Sequence, residues 1–206
     1  MKKALLLVVV LAAALAITYL LLNKSSAPAV AEKRDVPLTV SANSSVFTRS
    51  FASMMDDYYQ LSDAFVNWDT LAIREKANKL AVSVDSLRLN QLKGDTAIVE
   101  TAVNLAGSIK GEIAGLNGET SIEQKRREFY MISDILYNLI RTVRYDGATV
   151  YHMECPMAFS DSSEAYWLSA GSKVVNPYLG NKHPVYKDKM LNCGKLNDSI
   201  HFAIAQ

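Results

Sequence analysis

The chain has 206 residues, half of them hydrophobic, and 22 Lys and Arg against 21 Asp and Glu leave a formal net charge of +1. A charge so near neutral, with no dense Lys/Arg run and no basic-aromatic interleaving, argues against nucleic acid as a partner. Charge is otherwise uninformative about partners.

Lys2 and Lys3 precede an apolar run from Ala4 to Leu22, softened only by Thr18 and Tyr19. At the helical rise such a run reaches about 28 Å, close to the hydrocarbon thickness of a bilayer. Residues 1–22 are thus expected to be a signal anchor or a long signal peptide. The length exceeds a typical signal core and favours the anchor, although Ala29-Val30-Ala31 has the form of a cleavage site. In both cases the basic end stays cytoplasmic and the rest is exported. The expected location is the periplasmic side of the inner membrane, held by a single pass, or the periplasm after cleavage. No cysteine follows the apolar run, so a lipoprotein is not expected. The exported part, about 180 residues, is enough for one domain with a real core.

Residues 23–44 are rich in Ser, Ala, Lys, Pro and Asn, with Pro28 and Pro37 and no apolar period, and read as a flexible linker. Four amphipathic segments follow over 45–146. Phe47, Phe51, Met55, Tyr58, Leu61 and Phe65 recur at helical spacing. Asn67-Trp68-Asp69 interrupts them, and Asp69 suits the cap of a second helix carrying Leu71, Ile73, Ala77, Leu80, Val84 and Leu87 inward before it fades at Lys93-Gly94. Asp95 can cap a third, with Ile98, Ala102, Leu105, Ile109, Ile113 and Leu116 inward and a left-handed stop at Asn117-Gly118. Ser121 and Gln124 form a capping box for the fourth, whose inward residues are Ile122, Phe129, Ile132, Leu136, Leu139 and Val143. The expected fold is mainly α: an antiparallel up-down four-helix bundle joined by short turns. Residues 147–206, punctuated by Pro and Gly and rich in aromatics, are expected to form a small strand-and-loop cap packed on the bundle.

The helical part lacks the signatures of common bundle chemistry. Di-iron bundles need Glu-x-x-His pairs on helices, whereas His152, His183 and His201 all lie beyond the helical segments. Covalent haem needs Cys-x-x-Cys-His, which is absent. Asp56, Asp57, Glu75, Glu100 and Glu112 read as a solvated face, and Met54 and Met55 as core filling.

The soft donors lie in the cap. Tyr151-His152-Met153-Glu154-Cys155-Pro156-Met157 and Met190-Leu191-Asn192-Cys193-Gly194 hold both cysteines and three of the seven methionines. In an extended strand Met153 and Cys155 share a face, Met157 follows them unless Pro156 turns the chain, and His152 points the other way. Thiolate, thioether and imidazole together suit Cu(I) better than hard ions, and zinc less well. Three uses of the cysteines stay open. They can bind a metal; they can form a Cys155–Cys193 disulfide closing a loop of about 39 residues, stabilising by roughly 4 kcal/mol; or they can remain buried thiols. A catalytic Cys155 with His152 as base lacks an orienting partner and an oxyanion site, so no enzymatic activity is expected.

Tyr151-His152-x-x-Cys155-Pro156-Met157, Trp167-Leu168-Ser169, Asn176-Pro177-Tyr178-x-Gly180 and Met190-Leu191-x-Cys193-Gly194, in this order, resemble an uncharacterised domain family common in Bacteroidetes-type bacteria. That family occurs alone behind an export signal or appended to periplasmic adaptor subunits of copper/silver efflux pumps. The Cys-Pro-Met core also looks like the short heavy-metal-binding domain of those adaptors. The resemblance implies an envelope binding module without turnover, acting in copper handling or efflux, with efflux or other envelope proteins as partners and membrane contact through the N-terminal helix only. It implies Cu(I) held by Cys155, Cys193, Met157 and Met190, with His152 or Met153 as additions. The alternative is a disulfide-closed structural or interaction domain. Against shorter members this chain inserts Asn181 to Lys189, where His183 is expected to be an exposed loop residue. Trp167 and Tyr178 are expected to anchor the cap, with Pro177 and Gly180 shaping a turn.

Overall fold

Ser44 opens the first helix by accepting a hydrogen bond from the Phe47 amide (3.2 Å). In the computed structural model, which describes Tyr19 and residues 43–92, 94–159 and 162–202, this helix α1 runs Ser45–Val66. The chain divides into two units, Met1–Pro37 and Leu38–Gln206. The expected anchor, Tyr19 apart, and most of the linker lie outside the described residues. Among the described residues no helix is long and apolar enough to cross a membrane.

Phe47, Phe51, Met55, Tyr58, Leu61 and Phe65 are all buried, as the spacing predicts, and Met54 joins them. Asp69 caps helix α2 (Thr70–Asp85) by accepting from the amides of Leu71 and Ala72 (3.1 and 3.0 Å). Ile73, Ala77, Leu80 and Val84 form its buried stripe, but Leu71 is 81% exposed. Two residues from Ile73, Leu71 lies about 200° around the helix and off the stripe. The helix also ends earlier than expected. Ser86 bonds back to the Val82 carbonyl (2.8 Å), and a short 3₁₀ turn, Leu89–Gln91, carries the chain between buried Leu87 and Leu92.

Helix α3 spans Thr96–Gly118 and helix α4 Ile122–Val143. Asp95 stands at the start of α3 but makes no side-chain capping bond. Gly118 ends the helix without a left-handed turn, and Glu119 continues in an extended conformation. The left-handed terminator belongs instead to α4, at Arg144 (φ 48°). Ser121 accepts from the Glu123 amide (3.2 Å) and opens α4. Each helix packs on the next along the chain. Phe129 of α4 then lies against Phe65 and Tyr58 of α1, ring centres 4.7 and 5.4 Å apart. Full burial of each such ring contributes about 1.5–3 kcal/mol.

Beyond α4 come three antiparallel strands, β1 (Val150–Cys155), β2 (Ala165–Ser169) and β3 (Lys195–Ile200), in the order β2-β1-β3. Met153 pairs with Trp167 on one side and Leu196 on the other. His152 pairs with Asp198, so Asn197 is an extra residue in β3 and forms a bulge. Buried residues of helices and sheet form one hydrophobic cluster. A buried relay ties them: the Leu168 amide donates to Tyr58 Oη (3.1 Å), Tyr58 pairs with Ser133 Oγ (2.7 Å), and Ser133 donates to the Phe129 carbonyl (2.7 Å). With both neighbours fixed, the shared proton lies on Tyr58, and every buried group in the relay is satisfied. Burial pushes the Tyr58 phenol well above its ordinary value.

Candidate functional site

Asn176 organises the cap around the cysteines. Its side chain is wholly buried, and Oδ1 accepts from the amides of Tyr178 (2.8 Å) and Leu179 (3.0 Å) while Nδ2 donates to the Cys193 carbonyl (2.6 Å). Its own amide donates to the Leu191 carbonyl (2.7 Å), and its carbonyl accepts from Gly180 (2.9 Å). The Asn-Pro-Tyr-Leu-Gly turn thereby fastens the 190–194 segment. Gly180 has φ 58° and passes so close to helix α1 that an added Cβ would lie 2.5 Å from the Val66 carbonyl oxygen. Gly194, with φ 137°, approaches the Glu154 carbonyl of β1 equally closely, so a side chain there would hold Cys193 away from the strand.

This close approach brings the two cysteines together. Both are free thiols; Cys155 is buried and Cys193 partly so. The Cys193 and Asn176 side chains and the Met157 backbone lie close enough to the Cys155 thiol to bear on its ionisation. Burial raises the Cys155 thiol above its ordinary value, Asn176 and Met157 oppose that, and proximity to Cys193 adds to it. A buried neutral thiol is a poor nucleophile, but one whose neighbours Asn176 and Met157 favour the ionised form is arranged to carry negative charge once a cation replaces its proton.

Met157 follows Cys155 by two residues, and the Met190 carbonyl accepts from the Cys193 amide (2.9 Å). Met157 is 48% exposed and Met190 partly buried, and both line a cavity of about 350 Å³ with Arg126, Phe159, His183 and Tyr186. Met153 is fully buried in the core. His152 stands apart, as strand alternation predicts. Its ring is stacked between Tyr137 (4.2 Å) and Tyr166 (5.0 Å), Nδ1 meets the Asn197 side chain (3.1 Å), and buried Nε2 has no partner. Burial holds its pKa below the ordinary value, against Asp198, Asp134 and Glu154, which raise it. Among the described residues no three His, Cys, Asp or Glu side chains gather to hold a metal ion. Any metal centre here would therefore depend on the cysteine pair and thioethers.

His183 is not the exposed loop residue expected. It is partly buried, edge-on to Trp68 (5.1 Å) and tilted against Tyr186 (4.8 Å). Trp68, a bulky residue with φ 55°, is held in that conformation by its indole N–H on the Leu179 carbonyl (3.1 Å) and by Arg126 above its ring. Trp167 and Tyr178 are buried core residues, ring centres 6.1 Å apart, and Tyr178 Oη donates to the Tyr166 carbonyl. Two residues of this region have roles that their sequence context did not reveal, although Asn176 stands in the Asn-Pro-Tyr-x-Gly motif. Asn176 reads as an ordinary turn former, and Arg126 as one more cation on an amphipathic helix, until the cap covers it to 3% exposure.

Residues 54–146 match a family model described as Protein of unknown function (DUF3347), so most of the helical part is similar to that domain of unknown function. The match ends before β1, so it bears on the helices and leaves the cysteine pair unassigned. No curated protein and no solved structure matches the chain.

Proposed function

Starting from a helical part similar to a domain of unknown function, with two thiols close together on its cap, we propose that the chain is a soft-metal-binding module for Cu(I). It works in copper handling or efflux, as an exported, membrane-tethered up-down bundle without catalytic turnover. Cys155 and Cys193 supply thiolates, and Met157 and Met190 thioethers. The observation that carries the reading is the thiol pair itself: two reduced sulfurs close enough for each to bear on the other's ionisation, one of them beside the Asn176 side chain and the Met157 backbone. That donor set fits a soft monovalent ion and is too poor in nitrogen and oxygen for a hard one. His152 is left out of the donor set because its ring is held between two tyrosines. Met153 is left out because it is part of the closed core.

The test is a thiol count with Cu(I) titration against a colorimetric chelator, on chain isolated without reductant. Two free thiols that become protected as one Cu(I) binds per chain support the reading. Met157→Ile and Met190→Ile should weaken Cu(I) affinity and leave helicity unchanged. A quantitative Cys155–Cys193 bridge in isolated protein, with no copper uptake after reduction, overturns it. That outcome supports the second reading, a disulfide-closed envelope interaction domain, which the same thiol contact also favours.

A further inference from the structure

The cavity beside the thiol pair has features that the metal reading does not use. Its walls come from three stretches distant in sequence: the first turns of α4, the connection after β1, and the 179–190 segment. Its volume of about 350 Å³ lies at the lower end of the range for small-molecule sites, roughly 300–1,000 Å³. Phe159, Tyr186, Met157 and Met190 supply apolar walls. Two aromatic rings and two flexible thioethers suit a planar ring, which packs well against aromatic edges and against sulfur. The charged side chains on the wall are already paired. The Arg126 guanidinium gives one terminal nitrogen to Glu123 (2.9 Å) and the other to the Ala158 carbonyl, and its Nε is buried out of an occupant's reach. Glu123 also pairs with Arg127 (3.6 Å). An occupant carrying its own charge would be desolvated against a wall whose charges are matched, so the cavity selects against ions.

His183 supplies a donor for a neutral occupant. Its Nδ1 accepts from the amides of Val185 (3.1 Å) and Tyr186 (3.2 Å) in its own loop, so that nitrogen carries no proton. Burial, and next the Arg126 charge, hold the imidazole pKa below its ordinary value against Glu123. The ring is therefore neutral near pH 7, with its proton on Nε2. Trp68 (5.1 Å) and Tyr186 (4.8 Å) hold the ring in place. Among the described residues nothing accepts from Nε2, so a ring that lines the cavity offers it one oriented donor.

We propose that this cavity binds a small neutral aromatic molecule bearing one hydrogen-bond acceptor, of the aryl ketone, aldehyde or amide class. The acceptor takes the His183 Nε2–H, and the ring lies among Phe159, Tyr186, Met157 and Met190. This does not rest on the metal reading, because the site needs neither thiol and is tested on metal-free protein.

Acetophenone is a suitable probe, titrated into the metal-free full chain with its methionine methyl groups labelled with carbon-13 and followed by NMR. It is expected to shift the Met157 and Met190 methyl resonances saturably and to leave those of the fully buried Met54 and Met153 in place. Ethylbenzene has the ring without the acceptor and leaves the His183 donor unpaired, so it should bind about fivefold more weakly. Benzoate and benzylammonium, of similar size but charged, should bind about tenfold more weakly or worse. His183→Phe keeps a ring beside Trp68 and Tyr186 but removes the donor, and it should erase the preference for acetophenone over ethylbenzene. Three results on the parent chain would each overturn the proposal: no saturable shift at Met157 and Met190, an ion bound as tightly as acetophenone, or ethylbenzene bound as tightly as acetophenone. A folded His183→Phe variant that keeps the parental preference would overturn it too.

Discussion

Replacing Asn176 with alanine removes the side chain that holds the cap together. Three hydrogen bonds are lost at once: to the amides of Tyr178 and Leu179 and to the Cys193 carbonyl. Tyr178 is fully buried and Leu179 3% exposed, so water reaches their amides poorly. Each unsatisfied buried donor costs about 1–3 kcal/mol, whereas the Cys193 carbonyl, on a partly exposed residue, can turn to water at little cost. The expected loss is therefore about 2–6 kcal/mol, a large part of the roughly 5–15 kcal/mol that stabilises a typical domain. The assay is urea denaturation of parent and variant followed by circular dichroism, with the midpoint and slope fitted separately. A shifted midpoint with unchanged slope is expected. The variant should also react faster with a thiol reagent under native conditions, since the 190–194 segment loses its fastening to the turn. A loss under about 1 kcal/mol with parental thiol reactivity would refute the role given to Asn176.

Three further outcomes follow from the same geometry. Tyr58→Phe leaves the Leu168 amide without an acceptor inside the core and should cost about 1–3 kcal/mol in urea denaturation, with an unchanged midpoint counting against the relay. Gly180→Ala forces a Cβ into the left-handed region and within 2.5 Å of both the Val66 oxygen and Trp68 Nε1. It should destabilise by about 2 kcal/mol or more and shift tryptophan fluorescence as Trp68 is displaced, and native-like behaviour in both would contradict the packing described. His152 is buried with its folded pKa below the ordinary 6.5, so the unfolded chain binds the proton first as pH falls. The stability it contributes is complete above that value and is lost as pH drops through the folded pKa. His152→Phe, which preserves stacking between the tyrosines, should lessen the stability lost between about pH 7.5 and pH 5, measured by denaturation at each pH.

The helices were legible because their determinants are local. Phe47 to Phe65 repeat at a helical period, and Ser44, Asp69 and Ser121 reach amides only two or three residues away. Misreadings occurred where neighbouring context outweighed the local sign. Leu71 is apolar but off the stripe, and Asn117-Gly118 has a stop composition without the left-handed geometry. The separation of His152 from Cys155 was equally legible, since strand alternation alone decides it.

Sequence by itself determined that the apolar periodicity would make helices, that both cysteines and all three histidines would fall after residue 150, and that no Glu-x-x-His or haem signature accompanied them. These properties depend on residue identity and short spacing. Tertiary structure alone decided that Cys155 and Cys193 come close, that Asn176 stands beside both, and that Arg126 and His183 line one cavity. Such juxtapositions depend on where separate segments dock once the apolar faces of helices and sheet are buried together, and no local period encodes that docking.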